Sequence, residues 1–233
     1  MTRLDMTRHD SPLLAFIPCH TADKPKMTTR PPSSRNKHHS QSQYTIFLIP
    51  VPTPKDYLEK YVALRLLGLK TDPQSFGSTY EASLLLTEAD WRARIDSIDK
   101  ATFIACNSDD EWVGTMIIVS PEALITAPPH WTMPSNVSAG TRVYMVIGTW
   151  VHLEHRRKGI GRMLMERGRE WIRHRQQEKA MVGPSRLALQ VYSHNVEAMK
   201  LYSGAGFEKV EGEEHVDGDE RTKFWMISDL DDR

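Results

Sequence analysis

Between residues 142 and 192 the chain reads strand, glycine-rich turn, helix, strand, and that order restricts the fold more than any other feature. Residues 142–153 are rich in the branched and aromatic side chains that suit a pleated surface. From Gly161 to about residue 178, Leu164, Gly168, Trp171 and Ile172 recur along one side of a helix. Residues 187–192 are β-rich again. Two strands joined through a helix lie parallel, with a right-handed crossover. The turn between them runs Arg156-Arg157-Lys158-Gly159-Ile160-Gly161, three cations ahead of a Gly-X-Gly helix start. A helix start exposes unpaired amides and the positive end of the dipole, so it suits phosphate oxygens. Glycine lets a ligand approach the backbone, although such a turn can equally be a plain connector. It is not the Gly-x-x-x-x-Gly-Lys-Ser/Thr phosphate loop. Nor is it the dinucleotide fingerprint, whose third glycine would fall at Leu164.

The rest of residues 44–233 extends this to a mixed α/β domain. Residues 44–51 alternate as a strand. Pro54 opens a helix with Tyr57, Tyr61, Leu64 and Leu67 at helical spacing, ending at Gly68. Further helical stretches start near Thr79 and at Thr87, where Asp90 stands at capping-box spacing ahead of Trp91 and Ile95. Strands over 102–106 and 112–119 flank the turn Asn107-Ser108-Asp109-Asp110. A short helix starts at Asn195, and two strands, 207–210 and 223–227, flank an acidic turn over 211–220. Residues 121–141 carry Pro121, Pro128, Pro129 and Pro134 without a period, so a lid or a mobile loop is expected.

Residues 1–43, rich in Ser, Thr, Pro, Arg and His, hold too little apolar surface to offset ordering and are expected to be a disordered tail. Asp5, Asp10 and Asp23 argue against a targeting peptide, which is normally poor in acids. Thirty basic and thirty acidic residues leave no net charge, which argues against a nucleic-acid partner. Cys19 and Cys106 offer no disulfide framework and point to a reducing, cytoplasmic setting. No apolar run reaches the roughly 18–20 residues of a membrane span, so a soluble protein with no membrane partner is expected. The oligomeric state stays open, a homodimer included.

A second segment narrows the reading. Residues 189–207 contain Asn195, Ala198, Tyr202, Gly206 and Phe207 in the pattern Asn-x-x-Ala-x-x-x-Tyr-x-x-x-Gly-Phe. Together with Arg156 to Gly161, which fits Gln/Arg-x-x-Gly-x-Gly/Ala, this resembles the GCN5-related N-acetyltransferases, the GNAT superfamily. The resemblance implies an acyl-CoA N-acyltransferase fold, an α/β mixed sheet splayed at its centre and flanked by helices. It implies acetyl-CoA as co-substrate, with the backbone of Thr149, Trp150 and Val151 on the pantetheine amides. The loop from Arg156 through Arg157, Lys158, Gly159, Ile160, Gly161 and Arg162 would hold the pyrophosphate, and Asn195 would bond the cofactor. Tyr202 would be the general acid at the sulfur, and Val151 the amide facing the oxyanion of direct acyl transfer. Independently of the resemblance, Asn195 and Tyr202 are seven apart and share a helix face.

The base is not legible. Relatives that act on ribosomal proteins carry Leu-Glu-Val where this chain has Leu189-Gln190-Val191, and Gln190 takes no proton. Glu81, His152, Glu154 and water stand as candidates. His152 and His155 lack a third partner in sequence, so no metal is expected. The acidic turn over 211–220 is a solvated tip or an attractor of cationic acceptors. The expected acceptor is a primary amine on a small molecule. A protein N-terminus or lysine, a non-catalytic acyl-CoA-binding module and an unrelated nucleotide-phosphate binder are the alternatives.

Overall fold

A computed structural model describes residues 43–125, 133–134, 137–217 and 220–230. The expected disordered tail lies outside the described residues, apart from Gln43. In chain order the elements are β1 (Tyr44–Leu48), α1 (Lys55–Thr71), a 3-10 turn (Pro73–Ser75), α2 (Tyr80–Leu84), α3 (Glu88–Ile95), β2 (Lys100–Asn107) and β3 (Trp112–Val119). Then come α4 (Pro121–Ile125), β4 (Arg142–Val151), a second 3-10 turn (Leu153–His155), α5 (Ile160–Glu178), β5 (Ser185–Tyr192), α6 (Val196–Gly204), β6 (Glu208–Val216) and β7 (Thr222–Asp229). The seven strands form one sheet ordered β1-β2-β3-β4-β5-β7-β6. Only β4 and β5 pair in parallel, as the crossover requires.

Both faces of the sheet are covered. Side chains of β2 and β3 alternate between two cores, Phe103, Met116 and Ile118 on one side, Ile104, Ile117 and Val119 on the other. The first core is closed by Ile160, Leu164, Met165 and Ile172 of α5 and by Tyr202 of α6. The second is closed by Leu58, Tyr61, Leu64 and Leu69 of α1 and by Trp91 and Ile95 of α3. A sheet buried on both faces favours the near-continuous apolar strands that β2 and β3 show.

Local signals hold at several ends. Thr87 and Asp90 form the capping box, with Thr87 Oγ1 accepting from the Asp90 amide at 3.2 Å and Asp90 Oδ2 from the Thr87 amide at 2.9 Å. Asn107 Oδ1 accepts from the amides of Asp109 and Glu111 and so closes the β2–β3 hairpin.

Three expectations change. Helix α1 runs past Gly68 to Thr71, because Gly68 packs against Trp150: a Cβ there would lie 3.1 Å from the indole. The face of α1 is accordingly Leu58, Tyr61, Leu64, Gly68 and Leu69, and Leu67 points outward. Pro121 starts the short helix α4 at the position where its missing N–H matters least, so residues 121–125 are not loop. Residues 126–132 and 135–136 of the expected loop lie outside the described residues. Finally, the acidic segment is a hairpin tip only at its end: β6 continues to Val216 through an irregularity between Lys209 and Glu214, where Gly212 takes a φ of 77°, and the turn starts at Asp217, whose carbonyl accepts from the Glu220 amide. Its charges lie along an outer strand, where they discourage pairing with another chain.

The feature that positions the site is the parting of β4 and β5. Their ladder holds from Arg142↔Ser185 to Met145↔Ala188 and then stops, although both strands continue. Opposite β3, Thr115 faces Trp150 while Ile117 faces Ile147, so Gly148 and Thr149 share one partner position. Gly148 takes a φ of 63°, which an L side chain adopts only with strain. This bulge bends β4 away from β5 and opens a cleft between adjacent strands.

Candidate active site

Two cavities occupy the cleft. A groove of about 640 Å³ runs along the end of β4, the glycine-rich turn and α6. A smaller cavity of about 240 Å³ lies between β4, β5 and the segment after α1. Ser75, Thr149 and Tyr202 line both, so the two spaces adjoin at these three residues.

Every residue expected to hold the cofactor or act as the acid lines the groove except Lys158: Thr149, Trp150, Val151, Arg156, Arg157, Gly159, Ile160, Gly161, Arg162, Asn195 and Tyr202 do so. At the turn, Arg157 and Gly159 take φ values of 65° and 81°. None of the amides from Arg157 to Arg162 meets a backbone carbonyl. Amides bunched by left-handed residues at a helix start form a concave anion site. Nothing lies within 4 Å of where a Gly159 Cβ would be, whereas at Gly161 it would press on Leu201 at 2.7 Å. The first glycine serves the turn's conformation; the second lets α5 and α6 pack closely.

The cationic side chains are less available than the sequence suggests. Arg156 donates to Asp72 Oδ2 at 2.6 Å and to the Val151 carbonyl at 2.9 Å. Its own amide reaches the Leu153 carbonyl. Trp150 Nε1 donates to the same Asp72 oxygen at 2.7 Å. Asp72 is buried, and it ties the end of α1 to the end of β4 and to the turn. Sequence reading missed it, since Asp72-Pro73 signals only a turn and its partners lie about eighty residues away. Arg157 pairs with Glu197 and Arg162 with Glu166.

Asn195 caps α6, its Oδ1 accepting from the Ala198 amide at 3.1 Å, while its Nδ2 donates to Ser75 Oγ at 3.2 Å. Tyr202 is buried, and burial pushes its phenol above the ordinary tyrosine value; the neighbouring Thr149 hydroxyl partly offsets this. Thr149 Oγ1 is shut off from water and has no well-aligned hydrogen-bond partner. This hydroxyl beside the Tyr202 phenol, next to strand backbone released from its ladder, leaves polar groups for a ligand to satisfy.

None of the side-chain base candidates borders either cavity. Glu81 is exposed on α2, and His152 and Glu154 lie beyond β4. Gln190 does line the smaller cavity, which has no carboxylate among the described residues of its lining. His152, Glu154 and His155 bring their ligand atoms within 4.8 Å of one another, supplying the third group that sequence spacing lacked. His155 Nδ1 already meets the Tyr44 hydroxyl at 3.0 Å, and His152 Nδ1 accepts from the Glu154 amide.

Among solved structures, the fold is similar to a GNAT-family acetyltransferase from Streptococcus pneumoniae, with a TM-score of 0.54 at 19% identity over 80% of this chain and 98% of that one. It is also similar to a GNAT-family acetyltransferase from Staphylococcus aureus Mu50, with a TM-score of 0.53 at 12% identity over 80% and 99%. At such identities the likeness is one of fold. No curated protein matches the chain in sequence. The model of the acetyltransferase (GNAT) family matches residues 69–207. Because that match runs from the last turn of α1 to just past α6, taking in both parted strands and the turn between them, the chain belongs to the GNAT family and is an N-acetyltransferase.

Proposed function

We propose that the protein transfers an acetyl group from acetyl-CoA to the primary amine of a small molecule, directly, with donor and acceptor bound together. The observation that carries this is the meeting of two separately lined spaces at Tyr202, one for each reactant. Acetyl-CoA supplies an activated acetyl thioester. The stretch of β4 at Thr149, Trp150 and Val151, parted from β5 while Trp150 stays in register with Thr115 of β3, pairs with its pantetheine amides, and the amides of residues 157–162 receive the pyrophosphate. Arg156 acts through the Asp72 link that shapes the turn, and Asn195 fixes the start of α6.

Tyr202 donates a proton to the departing thiolate. Burial keeps the phenol protonated, so an O–H is available through the neutral range. A β4 amide, Val151 by the family pattern, stabilises charge on the carbonyl oxygen. With no carboxylate among the described residues that line the smaller cavity, the ammonium of the acceptor loses its proton to water before attack. A reducing, cytoplasmic setting suits the unpatterned cysteines. No helix among the described residues is long and apolar enough to cross a membrane.

Calorimetric titration with acetyl-CoA, CoA and ADP, followed by an amine screen with thiol detection, tests this reading. Tight binding of both CoA species and much weaker binding of ADP is expected. A folded protein that ignores CoA would refute it.

A further inference from the structure

We infer that the acceptor amine carries a carboxylate, held in the smaller cavity by the guanidinium of Arg65. This rests on the acetyl-transfer reading and names the class of its second substrate. Arg65 projects from α1 into the lining of that cavity, its Cζ 4.2 Å from the centroid of the Phe76 ring, which lines it too. Its Nη1 is closed off from water and meets no hydrogen-bond acceptor among the described residues. Among the described residues the ionisable neighbours that act on it are Tyr61 and Arg94, the latter a second cation, and no carboxylate is among them. Burial accordingly pushes its pKa down, yet an arginine keeps its charge.

A half-buried guanidinium with one amino group shut off from water and no counter-ion among the described residues is costly to hold, so its place in a ligand cavity calls for an anion to complete it. The other cation of the lining, Lys223, is already neutralised: its Nζ lies 2.7 Å from Asp217, which also accepts from the Tyr192 hydroxyl. Among the described residues Arg65 is thus left as the uncompensated charge of a cavity whose lining holds no carboxylate. A planar guanidinium matches a carboxylate with two parallel hydrogen bonds. The acidic residues Glu211, Glu213 and Glu214 of β6 do not border the cavity, so nothing there receives a polycation. Its volume of about 240 Å³ is below the range of roughly 300–1,000 Å³ that drug-sized ligands occupy, which suits an acceptor of amino-acid size.

The test uses the full chain. Acetyl-CoA binding is measured first; CoA release is then followed with each proteinogenic L-amino acid, its carboxamide and its decarboxylated amine. At least one amino acid is expected to exceed its carboxamide by about 10-fold or more in kcat/KM. Arg65→Gln is expected to raise KM for that amino acid by roughly 10–100-fold, to change kcat much less, and to abolish the preference over the carboxamide. Unaltered acetyl-CoA affinity in the variant shows that it folds, and the wild-type comparison stands without it. Acetyl-CoA binding accompanied by equal or better turnover of uncharged counterparts, or by silence of every carboxylated amine, overturns the anionic acceptor and leaves acetyl transfer standing. Absence of acetyl-CoA binding overturns both.

Discussion

Tyr202 and Gly159 carry the sharpest consequences of single side chains. Tyr202→Phe removes the proton donor and keeps the ring, so the packing of α6 on the first core survives. Turnover should fall by about 100-fold or more, with acetyl-CoA affinity within a few-fold of wild type. Comparing single-turnover rates with calorimetry checks this, and unchanged turnover would remove the acid role. Because burial raises the phenol's pKa, the acid form persists above the ordinary tyrosine value. The rate should therefore climb with pH as the acceptor amine deprotonates, with no falling limb from Tyr202 below about pH 10. Gly159→Glu sets a carboxylate at the anion-binding turn, on a backbone with φ of 81°. Loss of CoA binding in a folded variant is expected, and retained affinity would exclude the turn as the pyrophosphate site.

At the scale of elements, the site depends on three pieces held at one point: the end of α1, the end of β4 and the turn before α5. Asp72 joins them through Trp150 and Arg156. Asp72→Ala leaves a buried indole N–H and a guanidinium without their acceptor, and should cost about 2–3 kcal/mol of stability. Chemical denaturation would show it, together with weaker acetyl-CoA binding, since Arg156 would no longer be anchored. Gly68→Ala tests the same contact from the helix side. Helix propensity alone favours alanine by about 1 kcal/mol. Yet the new Cβ would meet Trp150 at 3.1 Å, and the Asp72 bond keeps that ring from retreating. Net destabilisation of about 1 kcal/mol is expected, because overpacking outweighs propensity; a stabilised variant would show that Trp150 is free to move.

Over the whole molecule, stability should depend on acid and on ligand in opposite ways. Burial works against the charge of Glu122, but Lys179, Ser120 and Arg175 outweigh it and hold the carboxyl at about 2. Asp217 is likewise lowered despite burial, by Lys223 and Tyr192. Such depressed groups contribute stability above their unfolded values near pH 4, and that contribution disappears as pH falls toward 2. Melting temperature should hence drop through this window, and less steeply in Glu122→Gln. Acetyl-CoA at 100 times its dissociation constant should add about 2.7 kcal/mol, which for a domain of this size raises the melting temperature by roughly 5–10 °C.

The sequence alone determined what is local. Period-2 and period-3.6 patterns placed the strands and helices, and the Thr87 box and the Asn107 turn were legible because their bonds span two to four residues. The glycine-rich turn and the pair Asn195 and Tyr202 were legible for the same reason, one helix start and one helix face carrying each. What only the tertiary structure decided is what joins distant segments. Gly148 reads as an ordinary strand glycine until its bulge is seen to part β4 from β5. Asp72 reads as a turn residue until Trp150 and Arg156 arrive on it. Arg65 reads as one more helix cation until the fold sets it in the lining of a cavity with no counter-charge among the described residues. A carboxylate or a guanidinium shows its type in the sequence, but burial and partner depend on chain folded in from far along it, and those two quantities decide what the group can do.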